Sequence, residues 1–251
     1  MKHIVYTWLR ADARFHPIVY EEPAPPINFT KADSPGSPGS RLLTSTPLVF
    51  DWRDHGMVSD VYNQGPCNTC WAITAAEHLD YGYKQENGVF GVSAQTVLDC
   101  TPGRSCNGGL MEKVFAWGGP YANDLPYTGK LGMCSAGTGS KVSEYTVLSS
   151  LVGDAVESQL AAALVEYGPL PVAVDSTSSR FLTYYSGTIE ESECNKVPNH
   201  AVLVVGFTPE YWIVKNSWGT HWGNKGYANI ARGSNTCGIG TYTAFVTAYD
   251  L

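Results

Sequence analysis

The sequence contains no apolar run that approaches the roughly 18 residues needed to cross a bilayer, which excludes a transmembrane helix. Charge is also scarce: 16% of the 251 residues are Asp, Glu, Lys or Arg, and the acidic excess gives a formal net charge of −7. This balance does not favour nucleic acid as a partner. Because 43% of the residues are hydrophobic, the chain is too apolar for a disordered protein, and its length suits one large domain or two small ones.

Cysteine is absent from the first 66 residues and then occurs seven times. The simplest interpretation of this odd count is three disulfides and one free thiol, which implies an oxidising compartment. The first ten residues lack the apolar core of a secretory signal peptide. We therefore expect either that a leader lies outside this numbering or that the cysteines are not paired.

Residues 1–47 differ in composition from the rest of the chain. The run Glu21–Pro26 is typical of extended polyproline, and the Ser, Pro and Gly residues of Ser34–Ser40 are typical of a flexible linker. We therefore predict that residues 1–47 are a leader, pro-segment or linker, and that residues 48–251 form the globular domain.

Hydrophobic periodicity changes along the globular part. Helical spacing and capping residues predict helices over 70–86, 93–99 and 110–117, and Asp154 with Glu157 has the pattern of a capping box before a helix at 160–166. Short β-branched or aromatic runs then predict strands over 170–175, 201–207, 211–215, 226–230 and 242–247. Helices followed by strands indicate the α+β class.

Cys70 lies at the first turn of the first predicted helix, in the segment Gln64–Trp71. The positive end of a helix dipole stabilises a thiolate, and the thiolate is the nucleophilic form of cysteine. A structural, redox or zinc-binding Cys67-x-x-Cys70 pair is the alternative. Zinc would require a second ligand pair at matched spacing, and a thioredoxin-like motif would require a preceding strand where this sequence has a turn.

A histidine and an asparagine occur downstream in suitable positions to support such a nucleophile. His200 opens a Val-rich predicted strand, 130 residues after Cys70, and Asn216 follows in the run Trp212–Gly219. The other histidines, which are His3, His16, His55, His78 and His221, lack a comparable context, and eight helical residues separate His78 from Cys70 by about 12 Å along the axis. His200 is therefore the stronger candidate.

These segments, together with Cys100 and the run Cys106-Asn107-Gly108-Gly109, resemble the papain family of cysteine peptidases. The resemblance covers about residues 48–251. It implies an α+β, two-subdomain fold with a helical left half, an antiparallel β-barrel-like right half and an active-site cleft between them. The expected boundaries are about 60–155 for the helical subdomain and 156–251 for the β subdomain.

The resemblance also implies the catalytic roles. Cys70 is expected to be the nucleophile, His200 the base and then the acid, and Asn216 the residue that orients the imidazole. Gln64 is expected to donate its side-chain amide hydrogen to the developing oxyanion, beside the backbone N–H of Cys70.

Six cysteines allow 15 connectivities, so their spacing alone selects none. The resemblance implies the pairs Cys67–Cys106, Cys100–Cys134 and Cys194–Cys237, which leave Cys70 free.

A substrate site follows from the same resemblance. The pair Gly108-Gly109 is expected to let the backbone approach an extended substrate, and Trp218 is expected to cover the bond between His200 and Asn216. The pocket for P2, the second residue before the cleaved bond, is expected to be lined by Leu110, Met111, Val174, Ala201 and Tyr242. We predict an apolar P2 preference and poor acceptance of Arg.

The sequence departs from the family pattern at several places. Asn68-Thr69 stands where the family usually has Gly-Ser, which puts full activity in question. Two insertions that mark exopeptidase relatives are missing, which favours an endopeptidase. Residues 1–47 lack the long charged helix of the usual inhibitory pro-domain, and we hypothesise that residues 17–40 act as a short pro-segment near the cleft.

The sequence therefore predicts a cysteine endopeptidase of a secreted or lysosome-like compartment. The alternatives are a catalytically weak binding protein and a peptide ligase or transpeptidase on the same scaffold. We expect no cofactor, no metal and no membrane or nucleic-acid partner. The expected partners are protein or peptide substrates and protein inhibitors of the cleft, and we expect a monomer.

Overall fold

The computed structural model describes residues 46–119, 125–135, 142–149 and 155–249. Its first half contains three helices, α1 (Cys70–Asn87), α2 (Ala94–Cys100) and α3 (Met111–Trp117). Helix α2 begins where the Ser93 hydroxyl accepts a hydrogen bond from the Thr96 N–H, and α3 ends at Gly118 in a left-handed conformation. These elements lie where the periodicity predicts them.

Helix α1 is buried around its whole circumference over Cys70–Gly82 and packs against α2, α3 and the sheet. Such a helix belongs to the interior of a domain rather than to its surface. It ends at Gly88, which has a left-handed backbone with a φ of 76°. The Gly88 N–H donates a hydrogen bond to the Lys84 carbonyl. The nucleophile candidate is therefore fixed at the start of the buried part of this helix.

Within the described residues, eight strands form one sheet. They are β1 (Phe50–Asp51), β2 (Val142–Ser149), β3 (Leu170–Val174), β4 (Thr188–Ile189), β5 (His200–Phe207), β6 (Tyr211–Lys215), β7 (Tyr227–Ala231) and β8 (Tyr242–Tyr249). The strand order is β2-β8-β3-β5-β6-β7-β4, and β1 pairs with β5. All pairings are antiparallel except that between β4 and β7. Two further helices, α4 (Ala155–Tyr167) and α5 (Ser179–Leu182), lie between strands.

The buried apolar side chains form two large clusters. The first joins α1–α3 to inward-facing residues of the strands, including Ala201 and Tyr242. The second lies between the strands and α4. An ion pair between Glu77 of α1 and Lys215 of β6, 2.7 Å long and inaccessible to solvent, connects the two halves of the chain. The α+β class is confirmed by this arrangement.

The structure joins Cys67 to Cys106, Cys100 to Cys134 and Cys194 to Cys237. Cys70 is the free cysteine among the described residues. Within the described ranges, no helix is both long and apolar enough to span a bilayer.

Two local expectations were incomplete. Strands β1, β2 and β4 were not predicted, and β1 and β4 are only two residues long. Asp154 of the expected capping box lies outside the described residues. The Glu157 carboxylate bonds to groups that are distant in the sequence. It accepts hydrogen bonds from the Trp212 indole N–H (2.8 Å) and from the backbone N–H groups of Gly233 (2.8 Å) and Asn235 (2.6 Å). Glu157 thus ties α4 to the sheet.

Candidate active site

Cys70 is 5% exposed at the first turn of α1. Cys70 is the free cysteine among the described residues, and it belongs to the same buried cluster as Trp71 and Ala201. Burial raises the pKa of the Cys70 thiol, and nearby backbone N–H groups lower it. Because Cys70 and Ala201 share this cluster, the start of α1 packs against the start of β5, where His200 lies.

His200 is 4% exposed, and its Nε2 lies 2.7 Å from the side-chain oxygen Oδ1 of Asn216. The backbone N–H of Ser217 also bonds to this oxygen at 2.8 Å, which fixes the orientation of the Asn216 amide. Because Oδ1 can only accept, Nε2 carries the hydrogen and Nδ1 of the neutral ring is the basic nitrogen. Burial lowers the pKa of His200 to about 4, while the hydrogen bond with Asn216 raises it.

Aromatic rings cover the imidazole. Trp218 lies over it with ring centroids 4.8 Å apart at an angle of 31°, and Phe181 contacts it edge-on at 6.3 Å. Trp222 completes the cluster against Phe181 and Trp218. Such rings exclude water from the hydrogen bond between His200 and Asn216. Phe181 was not predicted, because its place beside His200 depends on the short helix α5, which no periodic pattern marks.

Gln64 is held by Ser217 through both its backbone and its side chain. The Gln64 N–H donates to the Ser217 carbonyl at 2.8 Å, and the Ser217 hydroxyl donates to the Gln64 side-chain oxygen Oε1 at 2.8 Å. Since Oε1 is occupied as an acceptor, the Nε2 hydrogens remain for another partner. Ser217 follows Asn216 directly, so one dipeptide fixes both the imidazole partner and the candidate oxyanion donor.

A small apolar pocket lies beside these groups and outlines about 230 Å³ of empty space. It is lined by Trp71, Gly109, Leu110, Met111, Ala173, Ala201 and Tyr242. A side chain at Gly109 would come within 2.5 Å of the Trp71 ring, so only glycine fits. Gly108 has a φ of 107°, which also favours glycine.

The pocket wall differs from the expected set at β3. Ala173, paired with Ala201 across the strands, faces the pocket, whereas Val174 packs in the cluster between the strands and α4. The physical reason is the alternation of side chains along a strand, which places neighbours on opposite faces. Assigning Val174 to the pocket was therefore wrong. Trp71 and Ala173 are the lining residues that sequence reasoning missed.

Tyr242 is one of the residues that line the pocket. Its hydroxyl donates a hydrogen bond to the Glu112 carboxylate in the first turn of α3. Among the described residues, no group of three or more His, Cys, Asp or Glu side chains is placed to hold a metal ion.

Comparisons with known proteins show the family of this chain. The family model described as papain family cysteine protease matches residues 46–247. Cathepsin S of Bos taurus is 34% identical over 214 residues, and cathepsin K of Mus musculus is 36% identical over 213 residues. Each alignment covers 79% of this chain and 64% of the relative, so the chain spans less than two thirds of the length of these relatives.

Solved structures give the same result. The bromelain protease of Ananas comosus, in complex with the E64 inhibitor, superposes with a TM-score of 0.70 at 34% identity and covers 80% of this chain and 99% of that one. The digestive procathepsin L2 of the Tenebrio molitor larval midgut superposes with a TM-score of 0.73 at 35% identity and covers 82% of this chain and 69% of that one. With the family model spanning most of its length, the chain belongs to the papain family of cysteine proteases.

Proposed function

We propose that this chain is a cysteine endopeptidase that hydrolyses peptide bonds through an acyl-enzyme on Cys70. The observation that carries the proposal is the 2.7 Å contact between His200 Nε2 and Asn216 Oδ1, because the free thiol of Cys70 packs in one buried cluster with Ala201, the residue after His200. The proposal also rests on the family to which the chain belongs.

The first step is proton transfer from the Cys70 thiol to Nδ1 of His200. Burial disfavours either charge by itself, but the transfer creates both charges together, and opposite charges attract strongly where water is excluded. Asn216 holds the imidazolium through Nε2. The helix dipole of α1 adds to the stabilisation of the thiolate.

The thiolate then attacks the substrate carbonyl carbon. As the carbon–sulfur bond forms, the carbonyl electron pair moves to oxygen, which receives hydrogen bonds from Gln64 Nε2 and the Cys70 N–H. The carbon–nitrogen bond breaks and His200 gives its proton to the leaving amine. Water next attacks the thioester while His200 takes a water proton, and loss of the acid restores the thiolate and imidazolium.

The apolar pocket supports a preference for an apolar P2 side chain of limited size. Its lining includes no charged residue. Tyr242, anchored to Glu112, limits its depth. A basic P2 residue would bury a charge there without a partner, so we expect Arg to be accepted poorly.

The remaining assignments follow from the family and the sequence. We propose residues 48–251 as the peptidase domain, with a helical subdomain at about 60–155 and a β subdomain at 156–251. Residues 1–47 are proposed to be a leader or short pro-segment, with the enzyme a monomer in a secreted or lysosome-like compartment. The proposed partners are protein substrates and protein inhibitors that enter the cleft.

The experiment that tests this function is peptide hydrolysis combined with mass mapping after treatment with E-64, the inhibitor bound in the bromelain structure. We expect cleavage of a substrate with Leu at P2, and one E-64 adduct on Cys70 that abolishes cleavage. Cys70→Ser, with the three disulfides intact, is the control and should be inactive and unlabelled. Absence of both cleavage and labelling in the full chain and in a chain trimmed before Leu48 would overturn the proposal.

Two variations of this experiment separate related functions. If only the trimmed chain is labelled, residues 1–47 block the cleft as a pro-segment. If an added amine appears in the product in place of water, the chain is a transpeptidase rather than a hydrolase.

A further inference from the structure

The side chain of Tyr127 connects the two segments that carry the candidate oxyanion donors. Its hydroxyl donates to the backbone carbonyl of Gln64 at 3.1 Å. The same hydroxyl is hydrogen-bonded to Oγ1 of Thr69, the residue before Cys70. Gln64 lies in a loop and Cys70 begins α1, so this one oxygen bridges two separate pieces of chain.

The protons of this bridge have one favourable arrangement. Tyr127 has a single hydroxyl hydrogen, which bonds to Gln64, so Thr69 must supply the hydrogen between the two hydroxyls. Among the described residues, the Thr69 hydroxyl also lies 3.3 Å from the Cys67 carbonyl, which is a longer contact than the one with Tyr127. A directed chain results, from Thr69 to Tyr127 to the carbonyl of Gln64.

Thr69 is not used as an ordinary helix cap. It occupies the N-cap position of α1, yet its side chain makes no hydrogen bond to the first turn of that helix. A threonine at an N-cap normally satisfies one of the free N–H groups there. Here the hydroxyl, completely buried, faces Tyr127 instead.

The start of α1 is fixed without Tyr127, whereas the Gln64 carbonyl is not. The Thr69 carbonyl accepts hydrogen bonds from the N–H groups of Ala72 (3.0 Å) and Ile73 (2.9 Å). The Gln64 backbone N–H and side chain are held by Ser217, but its carbonyl depends on the Tyr127 hydroxyl. Loss of that hydroxyl therefore releases Gln64 more than Cys70.

We propose that Tyr127 is a positioning residue for the oxyanion hole, which sets the distance between the Gln64 side-chain donor and the Cys70 backbone donor through its bonds to Gln64 and Thr69. The inference rests on the proposed function and adds a residue to it. Tyr127 is half-buried, its ring contacts that of Tyr62 edge-on at 5.8 Å, and burial raises the pKa of its hydroxyl. The hydroxyl thus stays protonated and available as a donor.

The test compares Tyr127→Phe with Tyr62→Phe, in the full chain. The first variant keeps the ring and removes the bridge, whereas the Tyr62 hydroxyl bonds to neither Gln64 nor Thr69 in the described part of the chain. For an amide substrate we expect Tyr127→Phe to lower kcat by about three- to thirty-fold with little change in KM, and Tyr62→Phe to leave both near wild type. Alkylation of Cys70 by iodoacetamide forms no oxyanion, so its rate should be unchanged in both variants.

A double variant distinguishes positioning from a general structural role. If Tyr127 acts through Gln64, then Gln64→Ala with Tyr127→Phe should be slower than Gln64→Ala by less than about two-fold, because the effects of coupled residues do not add. Thr69→Val, which removes the hydroxyl, should lower kcat by part of the amount seen in Tyr127→Phe. Thr69→Ser, which keeps the hydroxyl, should have a kcat near that of wild type.

Either of two results would overturn the inference: a wild-type kcat for Tyr127→Phe, or equal losses in kcat and in the alkylation rate. An inactive wild-type chain that E-64 does not label would instead overturn the proposed function itself, and the inference with it.

Discussion

The ammonium nitrogen of Lys215 lies 2.7 Å from the Glu77 carboxylate, and both side chains are shielded from solvent. Lys215 also donates to the Ser59 carbonyl at 2.8 Å. Glu77 belongs to the helix that begins at Cys70, and Lys215 directly precedes Asn216. The ion pair therefore connects the helix that carries the nucleophile to the strand that ends directly before the imidazole partner.

Removing one member of this pair should destabilise the fold severely. A buried charge left without its partner costs about 3–5 kcal/mol, whereas replacing both partners by apolar residues is often neutral. We expect Lys215→Met to lower the free energy of unfolding in urea by that amount, and Glu77→Leu with Lys215→Met to recover most of it. Lys196→Met, which breaks an exposed ion pair with Glu191, is the control and should change nothing measurable. Equal effects of the buried and exposed changes would refute this view.

His78 should make stability depend on pH. It is fully buried, its Nδ1 lies 2.8 Å from the Pro169 carbonyl, and its Nε2 accepts the Val246 N–H at 2.8 Å. Nδ1 therefore carries the hydrogen, and a second proton on Nε2 would face the Val246 N–H. Burial lowers the pKa of His78 to about 4.

Proton linkage determines the direction in which stability changes with pH. The unfolded chain binds a proton on His78 below about pH 6.5, whereas the folded chain resists it down to about pH 4, so stability falls as pH falls through that window. The loss amounts to about 3 kcal/mol at most. His200 has a similarly lowered pKa, so the measurement is the difference between wild type and His78→Gln in urea unfolding from pH 7 to pH 4. A parallel pH dependence in the two proteins would contradict the assignment.

Neighbouring residues on β3 offer a matched test of the pocket. Ala173 faces the pocket and Val174 faces the core, so Ala173→Val should narrow the pocket and Val174→Ala should not change it. We expect Ala173→Val to lower kcat/KM for a P2 Leu substrate relative to a P2 Ala substrate by about ten-fold. Val174→Ala should lower stability and leave that ratio unchanged. If Val174→Ala changed this ratio and Ala173→Val did not, Val174 would line the pocket instead of Ala173.

Tyr242 should control the depth of the same pocket. Tyr242→Ala removes the ring from the pocket lining and is expected to raise kcat/KM for P2 Phe relative to P2 Leu. Tyr242→Phe keeps the ring but removes the hydroxyl that bonds to Glu112, and it serves as the control with a much smaller change in that ratio. An unchanged ratio in Tyr242→Ala would show that the ring does not limit depth.

The sequence was informative where local chemistry determines the structure. The start of α1 at Cys70 and the start of β5 at His200 both follow from local patterns, and the helix end at Gly118 follows from its conformational freedom. Residues whose role depends on long-range contacts could not be found in this way. Tyr127 and Phe181 belong to segments without a periodic signal, and they reach the site only through the tertiary fold.

The error at Val174 has a different origin. The strand was recognised, but all of its residues are buried, so the burial pattern gives no alternation from which the facing side could be read. The interpretation of Glu157 failed for a related reason. Its position in the sequence matches a helix cap, but its carboxylate accepts hydrogen bonds from three donors in distant strands and loops. In both cases the tertiary environment overrides a correct local pattern.

The central claim is that Cys70 reacts as a thiolate paired with the His200 imidazolium. The most direct test is the rate of iodoacetamide alkylation of Cys70 between pH 4 and pH 10, in wild type and in His200→Ala. We predict rapid alkylation already near pH 6, well below the ordinary thiol pKa of about 8.5, and loss of this low-pH reactivity in His200→Ala. Alkylation that rises only above about pH 8 in wild type, or the same profile in both proteins, would contradict the account.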